Sequence, residues 1–365
     1  MKRILLTGGG TGGHVYPLIA VAERLKGVTL RYFGPDDAWT GAMREAGIPT
    51  SRIAHAKLRR YFSLRNFVDM PKFLWSILQA ALKVGLYRPH AAFSKGGPGS
   101  LPVLFACRIW GVPIVIHESD SVPGTANRIA GRWARTVELA WEEAAAYFPG
   151  MKTHTVGVPL RAATMRAIGI PQSEAKRAIG LDPTLPLILV VGGSQGAERI
   201  NALVMEALPE LLVEYQVLHQ TGGHGYASHM AEWEEAKAEI PAHLWNRYRI
   251  QPFFEKDMAP AYAAAACAVS RAGSAIFEIA GYGIPAILIP LPEAAGDHQR
   301  KNAEAYAASG ASLVMEGDGD AETLMEKIAA CLDGETGEAM ASAARGFAKP
   351  RAAQEIAEDI MGIIR

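Results

Sequence analysis

"LLTGGGTGGHVYP", Leu5 to Pro17, is echoed about half a chain later by "LILVVGGSQGA", Leu187 to Ala197. In each, a short apolar run breaks into a glycine loop and then into a segment of helical period, "VYPLIAVAERL" in one and "ERINALVMEAL" in the other. A buried strand, a loop at the carboxyl edge of a parallel sheet and a covering helix would read in this way. Outward from the first copy, "KRILLT", "TLRYFG", "HAAFSKGG" and "PIVIHES" alternate with longer helical segments, the pattern of a parallel sheet wrapped by helices. The restart at Leu187 predicts two Rossmann-like domains, each with a glycine loop at its sheet edge and with a cleft between them. "VGVPLR", Val156 to Arg161, interrupts the pattern with Gly157 and Pro159 and sets the boundary, giving domains over 1–157 and 158–350. Beyond Pro350 a last helix, 351–365, is expected to cross back onto the first domain.

At 365 residues and 49% hydrophobic content, the chain suits two cores better than one. Basic and acidic residues balance at 37 each, so no global field draws it to nucleic acid. Cys107, Cys267 and Cys331 lie far apart and fit a reducing cytoplasm. The apolar run after Lys2 and Arg3 is too short for a signal peptide, and no stretch reaches the roughly 18 apolar residues of a membrane span.

Gly8, Gly10 and Gly13 satisfy the G-x-G-x-x-G dinucleotide fingerprint, but the second strand, "LRYFG", closes without the acid that would hold a ribose; Asp36 comes only after Pro35. No Gly-Lys-Ser/Thr follows, which excludes a P-loop. What remains is a bare backbone that admits a bulky polar ligand, with His14 at the mouth of the next helix and Pro17 in its first turn. A helix N-terminus disfavours imidazolium, so His14 is read as a neutral proton acceptor, or else as the cap of a turn. In the second half, Gly192, Gly193 and Ser194 are placed at a helix start, where amides and the helix dipole favour a diphosphate. Arg161 either adds a charged hydrogen bond to that group or forms a hinge salt bridge. Glu278, early in a helix, can accept from two sugar hydroxyls or serve the helix dipole, and Gln299 is a candidate sugar contact or a solvated loop residue. Asp318-Gly319-Asp320 reads as a turn and cap rather than a metal-binding D-x-D. No His/Cys spacing suggests a metal.

From Lys57 to Arg88, Phe67, Met70, Leu74, Ile77, Ala81 and Val84 follow helical spacing and are expected in the core. Phe73 and Trp75 lie off that stripe, among Arg59, Arg60, Arg65 and Lys72, and suit either an anionic membrane surface or an ordinary solvated rim.

Taken in order, "GGTGGHVYPLIAVAERL", "HESDSVPGTANR", "VGVPLR", "VVGGSQGAERIN", "SRAGSAIFEIAGYGIPAILIP" and "DHQRKNA" span nearly the whole chain. Together they resemble the MurG family, bacterial glycosyltransferases of peptidoglycan synthesis. The resemblance implies the GT-B fold, an α/β architecture of two Rossmann-like domains with parallel sheets facing a central cleft. It implies transfer of N-acetylglucosamine from UDP-N-acetylglucosamine to the 4-hydroxyl of the muramyl sugar of undecaprenyl-diphosphate-linked lipid I, giving lipid II with inversion and no cofactor. The place of action would be the cytoplasmic face of the cell membrane, bound peripherally, with the 57–88 region against the anionic surface. Thr11, Gly12 and Gly13 match an acceptor-side loop that also meets the donor, and His14 matches the general base. Arg161 and Ser194 match diphosphate contacts, Glu278 the ribose contact and Gln299 a contact to the donor sugar. Glu255, within "PFFEKDM", falls in a segment whose backbone reads uracil. Asp120 stands where the family carries asparagine, Pro98 where an aromatic is common, and Arg271 to Glu278 is one residue short around Ser274, Ala275 and Ile276. An epimerase of UDP-N-acetylglucosamine and a non-catalytic sugar-nucleotide binder are rival readings on the same fold.

Overall fold

In a computed structural model of the chain, the described residues are 1–37, 39–54, 65–193, 196–223, 225–254, 258–291, 297–316 and 319–364, the side chains of 65–69 excepted. In β1 (Lys2–Thr7) Ile4, Leu5 and Leu6 are wholly buried, because helices cover both faces of the sheet. Around it run β2 (Val28–Gly34), β3 (Thr50–Arg52), β4 (Ala91–Ser94), β5 (Ile114–Glu118), β6 (Thr136–Leu139) and β7 (Thr153–Thr155). They form one sheet in the order β3-β2-β1-β4-β5-β6-β7, and its strand pairs are parallel.

The second sheet repeats the plan. It consists of β8 (Leu187–Val191), β9 (Gln216–Gln220), β10 (Tyr248–Gln251), β11 (Cys267–Ser270), β12 (Ala286–Leu288) and β13 (Ser312–Val314), in the order β10-β9-β8-β11-β12-β13, again parallel. In each sheet the strand order reverses beside the first strand, between β1 and β4 and between β8 and β11. Crevices at the carboxyl ends of such strands are where open α/β sheets take ligands. Both glycine loops leave the first strand of their sheet.

Two compact units result, Met1–Arg161 with Lys349–Arg365, and Ala162–Ala348. In the first, the C-terminal helix Ala352–Ile363 packs on the helix Gly12–Arg24, so that Ile356, Ala357 and Ile360 share a core with Val15 and Ile19.

Three local expectations are corrected. Gly192 and Gly193 precede the helix rather than open it: Gly193 has φ +83°, Gly196 has φ +81°, and the helix Glu198–Glu214 starts only after these left-handed turns. Pro17 falls inside the helix Gly12–Arg24, past its first turn. On the helix Arg65–Tyr87, Met70 and Leu74 are 50% and 60% exposed, while Phe73, Ser76, Ala80, Val84 and Tyr87 face the core. That helix carries two apolar stripes, and the one with small residues lies inside, where close approach is needed. Its outer end shows the same fit, since the Trp110 ring lies over Gly85 and its indole N–H donates to the Ala81 carbonyl at 2.8 Å. Among the described residues, no helix is long and apolar enough to cross a membrane.

Ile356 is fully buried against the first helix, so Ile356→Ala should cost about 2–4 kcal/mol. A thermal midpoint within a degree of the parent would show that the C-terminal helix adds nothing to the first unit.

Candidate active site

The first glycine loop is held in shape from below. Tyr32 on β2 donates its hydroxyl to the Gly8 carbonyl at 2.6 Å, and Asp37 Oδ2 accepts from the Gly10 amide at 3.0 Å. The first acid to engage this loop after the second strand therefore grips its backbone. Gly9 and Gly10 have φ +134° and +103°, and a Cβ on Gly9 would strike the Pro35 ring at 2.9 Å.

Thr11 is the N-cap of the helix Gly12–Arg24, with Gly12 and Gly13 in its first turn, but its side chain does not cap the backbone. Thr11 Oγ1 instead lies 2.8 Å from Nδ1 of His14, a hydrogen bond that fixes the ring and leaves Nε2 for a ligand. Burial pushes the His14 pKa down to about 4, the charge of Lys95 adds to this, and Asp37 opposes it. His14 is therefore neutral at physiological pH, as the sequence suggests, but burial and Lys95 are the causes, where the sequence points to the helix dipole.

The partner loop comes from β4, which ends in Lys95-Gly96-Gly97 beside β1; the Lys95 amide donates to the Thr7 carbonyl at 3.1 Å. Gly97, at φ +86°, passes so close that a Cβ would sit 2.6 Å from the Gly9 carbonyl and 3.4 Å from His14 Nε2. A side chain here would crowd His14 Nε2, and glycine avoids this. Lys95 is 2% exposed; burial lowers its pKa, while Glu118 and Asp120 raise it. Glu118, also buried, accepts from the amides of Asp120 and Gly124 and from Asn127 Nδ2, each at 3.0 Å, and so shapes the loop that carries Asp120. The carboxylate that replaces the usual asparagine thus has an ammonium group nearby to offset it.

Arg161 stands over the Tyr16 ring at 3.9 Å, and Tyr16 meets Trp39 edge-on at 5.8 Å. Stacking supports the guanidinium while leaving its N–H edge available. The structure thus gathers Thr11, Gly12, Gly13, His14, Asp120 and Arg161 in the first unit.

In the second unit, Arg271 after β11 donates to the Gly196 carbonyl and ties the two switch-point loops together. Ser274 is the N-cap of the helix Ala275–Tyr282. Ile276 is fully buried and gives its amide to the Gly273 carbonyl within this loop. Glu278, in the first turn, accepts from the Tyr262 hydroxyl at 2.6 Å, and Tyr262 stacks on Tyr282. Gln299, on the helix His298–Ala308, accepts the Leu291 amide through Oε1 at 3.0 Å, and Asn302 of that helix donates to the Ala272 carbonyl. These contacts bring Gln299 to the loop of Ser274, Ala275 and Glu278. Ser194 and Glu255 lie outside the described residues, as does Asp318; Asp320 caps the helix Ala321–Leu332 through Thr323, which is the cap reading.

Family models match the sequence of both units. Residues 4–138 match the glycosyltransferase family 28 N-terminal domain, and residues 187–356 match its C-terminal domain. A protein of Exiguobacterium sp. named UDP-N-acetylglucosamine--N-acetylmuramyl-(pentapeptide) pyrophosphoryl-undecaprenol N-acetylglucosamine transferase is 31% identical over 371 residues, covering all of both chains. The chain belongs to glycosyltransferase family 28. The crystal structure of MurG from Acinetobacter baumannii matches 99% of this transferase and all of its own chain, with 27% identity and a TM-score of 0.76. UDP-GlcNAc 2-epimerase from Neisseria meningitidis also matches, with a TM-score of 0.71 at 12% identity, and that likeness shows the fold alone.

Lys95, Gly97, Glu118 and Asn127 were not singled out from sequence. "SKGG" does carry a signal, because it repeats at β4 the strand-into-glycine pattern of β1.

A histidine base works in its neutral form, so activity rises with pH through its pKa. For this transferase, kcat/KM should keep its acid limb near pH 4, and Lys95→Met should move that limb upward by removing a neighbouring positive charge. A parent limb at the ordinary histidine value of about 6.5 would falsify this arrangement.

Proposed function

We propose that this transferase moves N-acetylglucosamine from UDP-N-acetylglucosamine to the 4-hydroxyl of the muramyl sugar of lipid I and so forms lipid II. The observation that carries the reading is full-length similarity to relatives named for that transfer, in a chain whose His14 is neutral and has Nε2 beside a glycine rather than a side chain.

The reaction is written as one inverting displacement. His14 Nε2 takes the proton of the acceptor hydroxyl as its oxygen forms the bond to the anomeric carbon. The bond from that carbon to the diphosphate breaks on the opposite face, and UDP leaves with the electron pair. A diphosphate leaving group needs charge stabilisation more than protonation. Arg161, Ser194 and the amides of the second glycine loop take that part. Glu278 accepts from the ribose hydroxyls, held in place by Tyr262, and the Gln299 amide group donates to the sugar. Thr11 orients the base, Gly12 and Gly13 admit the substrates to the backbone, and Asp120 turns its carboxylate toward acceptor hydroxyls. Ser274 and Ala275 offer backbone contacts at the donor, and Glu255 belongs to the uracil segment. An anionic substrate near His14 raises its pKa and makes it a stronger base when both substrates are present.

The acceptor is a membrane lipid, and the first unit has a face suited to one. Leu74, Trp75, Leu78, Leu82 and Leu86 form an exposed stripe, 52–86% accessible, on the helix Arg65–Tyr87. Ile109 and Trp110 extend it, and Lys72 beside it is exposed. Apolar side chains rimmed by cations suit the cytoplasmic face of an anionic bilayer. Residues 57–64 of the same region lie outside the described residues.

Purified protein given lipid I and UDP-N-acetylglucosamine labelled in the sugar should place the label in lipid II. Release of UDP or of an epimerised sugar without lipid I would make it an epimerase, and binding without turnover a sensor. His14→Ala should lower kcat about 100-fold or more with UDP affinity unchanged; equal losses in both would remove His14 from the base role. Leu78→Glu with Leu82→Glu should weaken binding to vesicles containing anionic lipid by about tenfold or more. Unchanged vesicle binding in this double variant would place the membrane contact elsewhere.

A further inference from the structure

Three side chains that the transfer reaction does not use meet in the first unit. Glu138 on β6, His154 on β7 and Asp359 on the C-terminal helix each offer one ligand atom, and these atoms lie within 4.8 Å of one another. His154 Nδ1 is 2.6 Å from Asp359 Oδ2 and 3.7 Å from Glu138 Oε2. Glu138 is fully buried, yet among the described residues neither of its carboxylate oxygens receives a hydrogen bond.

A carboxylate taken out of water with no donor is a costly arrangement, and a second carboxylate beside it adds repulsion. Burial and then the neighbouring Asp359 carboxyl push the Glu138 pKa up to about 9; Lys152 opposes this from an exposed position and Glu355 adds to it. A small dication would satisfy both carboxylates and the imidazole together. Tetrahedral ligands at about 2.0 Å from an ion stand about 3.3 Å from one another, within the spread of separations seen here. The His154 and Asp359 side chains are 37% and 31% exposed, so the cluster has a buried floor and an open side. Asp359 also lines an open cavity of about 940 Å³.

We propose that Glu138, His154 and Asp359 form a binding site for a divalent cation of the zinc class, with water in the remaining position. One imidazole and two carboxylates are the donor set such ions accept. An ion held there would pin the C-terminal helix to the last two strands of the first sheet. The inference uses none of the residues assigned to transfer and stands whether or not lipid I is the acceptor.

The test uses the full-length protein, stripped with a chelator, dialysed and titrated with Co²⁺ and then Zn²⁺. One equivalent of Co²⁺ should develop a visible d–d band that Zn²⁺ abolishes, and Zn²⁺ should raise the Tm. His154→Ala and Asp359→Asn should each weaken binding at least tenfold and remove the Tm shift. Both positions are partly exposed, so these variants remain decisive if Glu138→Gln disturbs the core. No band and no Tm shift would overturn the site and leave a proton shared between the carboxylates. A band of equal strength in the parent and both variants would overturn it too, by moving the ion elsewhere.

Discussion

The pairing of β4 with β1 is the constraint on which the chemistry of the first unit depends. It lays two glycine-bearing loops side by side at the point where the strand order reverses, and the Lys95 amide bond to Thr7 sets their register. Because position 97 is glycine, the β4 loop can pass against the Gly9 carbonyl without a side chain crowding His14 Nε2. Burial and the Lys95 charge then keep that ring neutral, which a base requires. Topology, close backbone approach and acidity follow here from one strand contact.

The same design recurs in the second unit with another purpose. Arg271 ties the β11 loop to Gly196, as Lys95 ties the β4 loop to Thr7, but a half-buried glutamate bonded to a buried tyrosine takes the place of the histidine. A carboxylate fixed by a tyrosine hydroxyl is an acceptor for sugar hydroxyls. A neutral imidazole is an acceptor for a proton. Two copies of one strand order thus carry a tyrosine-bound carboxylate at one edge and a neutral imidazole at the equivalent edge of the other.

The α/β class and the strand sequence were legible because parallel strands covered on both faces read as unbroken apolar runs, as in β1 and β8. The positions of His14 and Glu278 were legible because each stands in the first turn of a helix that follows a strand and a glycine-bearing loop. The start of the helix at Glu198 was not, since positive φ at Gly193 and Gly196 is a property of the turn and leaves no mark beyond the glycines themselves. Nor was the buried face of the Arg65–Tyr87 helix: two stripes of similar apolarity compete there, and only the closeness of the neighbouring helix selects Ser76 and Ala80 over Met70 and Leu74. Lys95 was hidden for a different reason, because a lysine before two glycines reads as a solvated loop until its neighbours Glu118 and Asp120 are brought in from another strand.

The first unit is discontinuous in the chain, closed by Lys349–Arg365. On a ribosome, which extends a chain from its N-terminus, the residues of Lys349–Arg365 that pack around Val15 and Ile19 emerge after the whole of Ala162–Ala348. The unit translated second can therefore complete its fold first. A chain released before Lys349 would carry a complete second unit and a first unit whose core around Val15 and Ile19 lacks Ile356, Ala357 and Ile360.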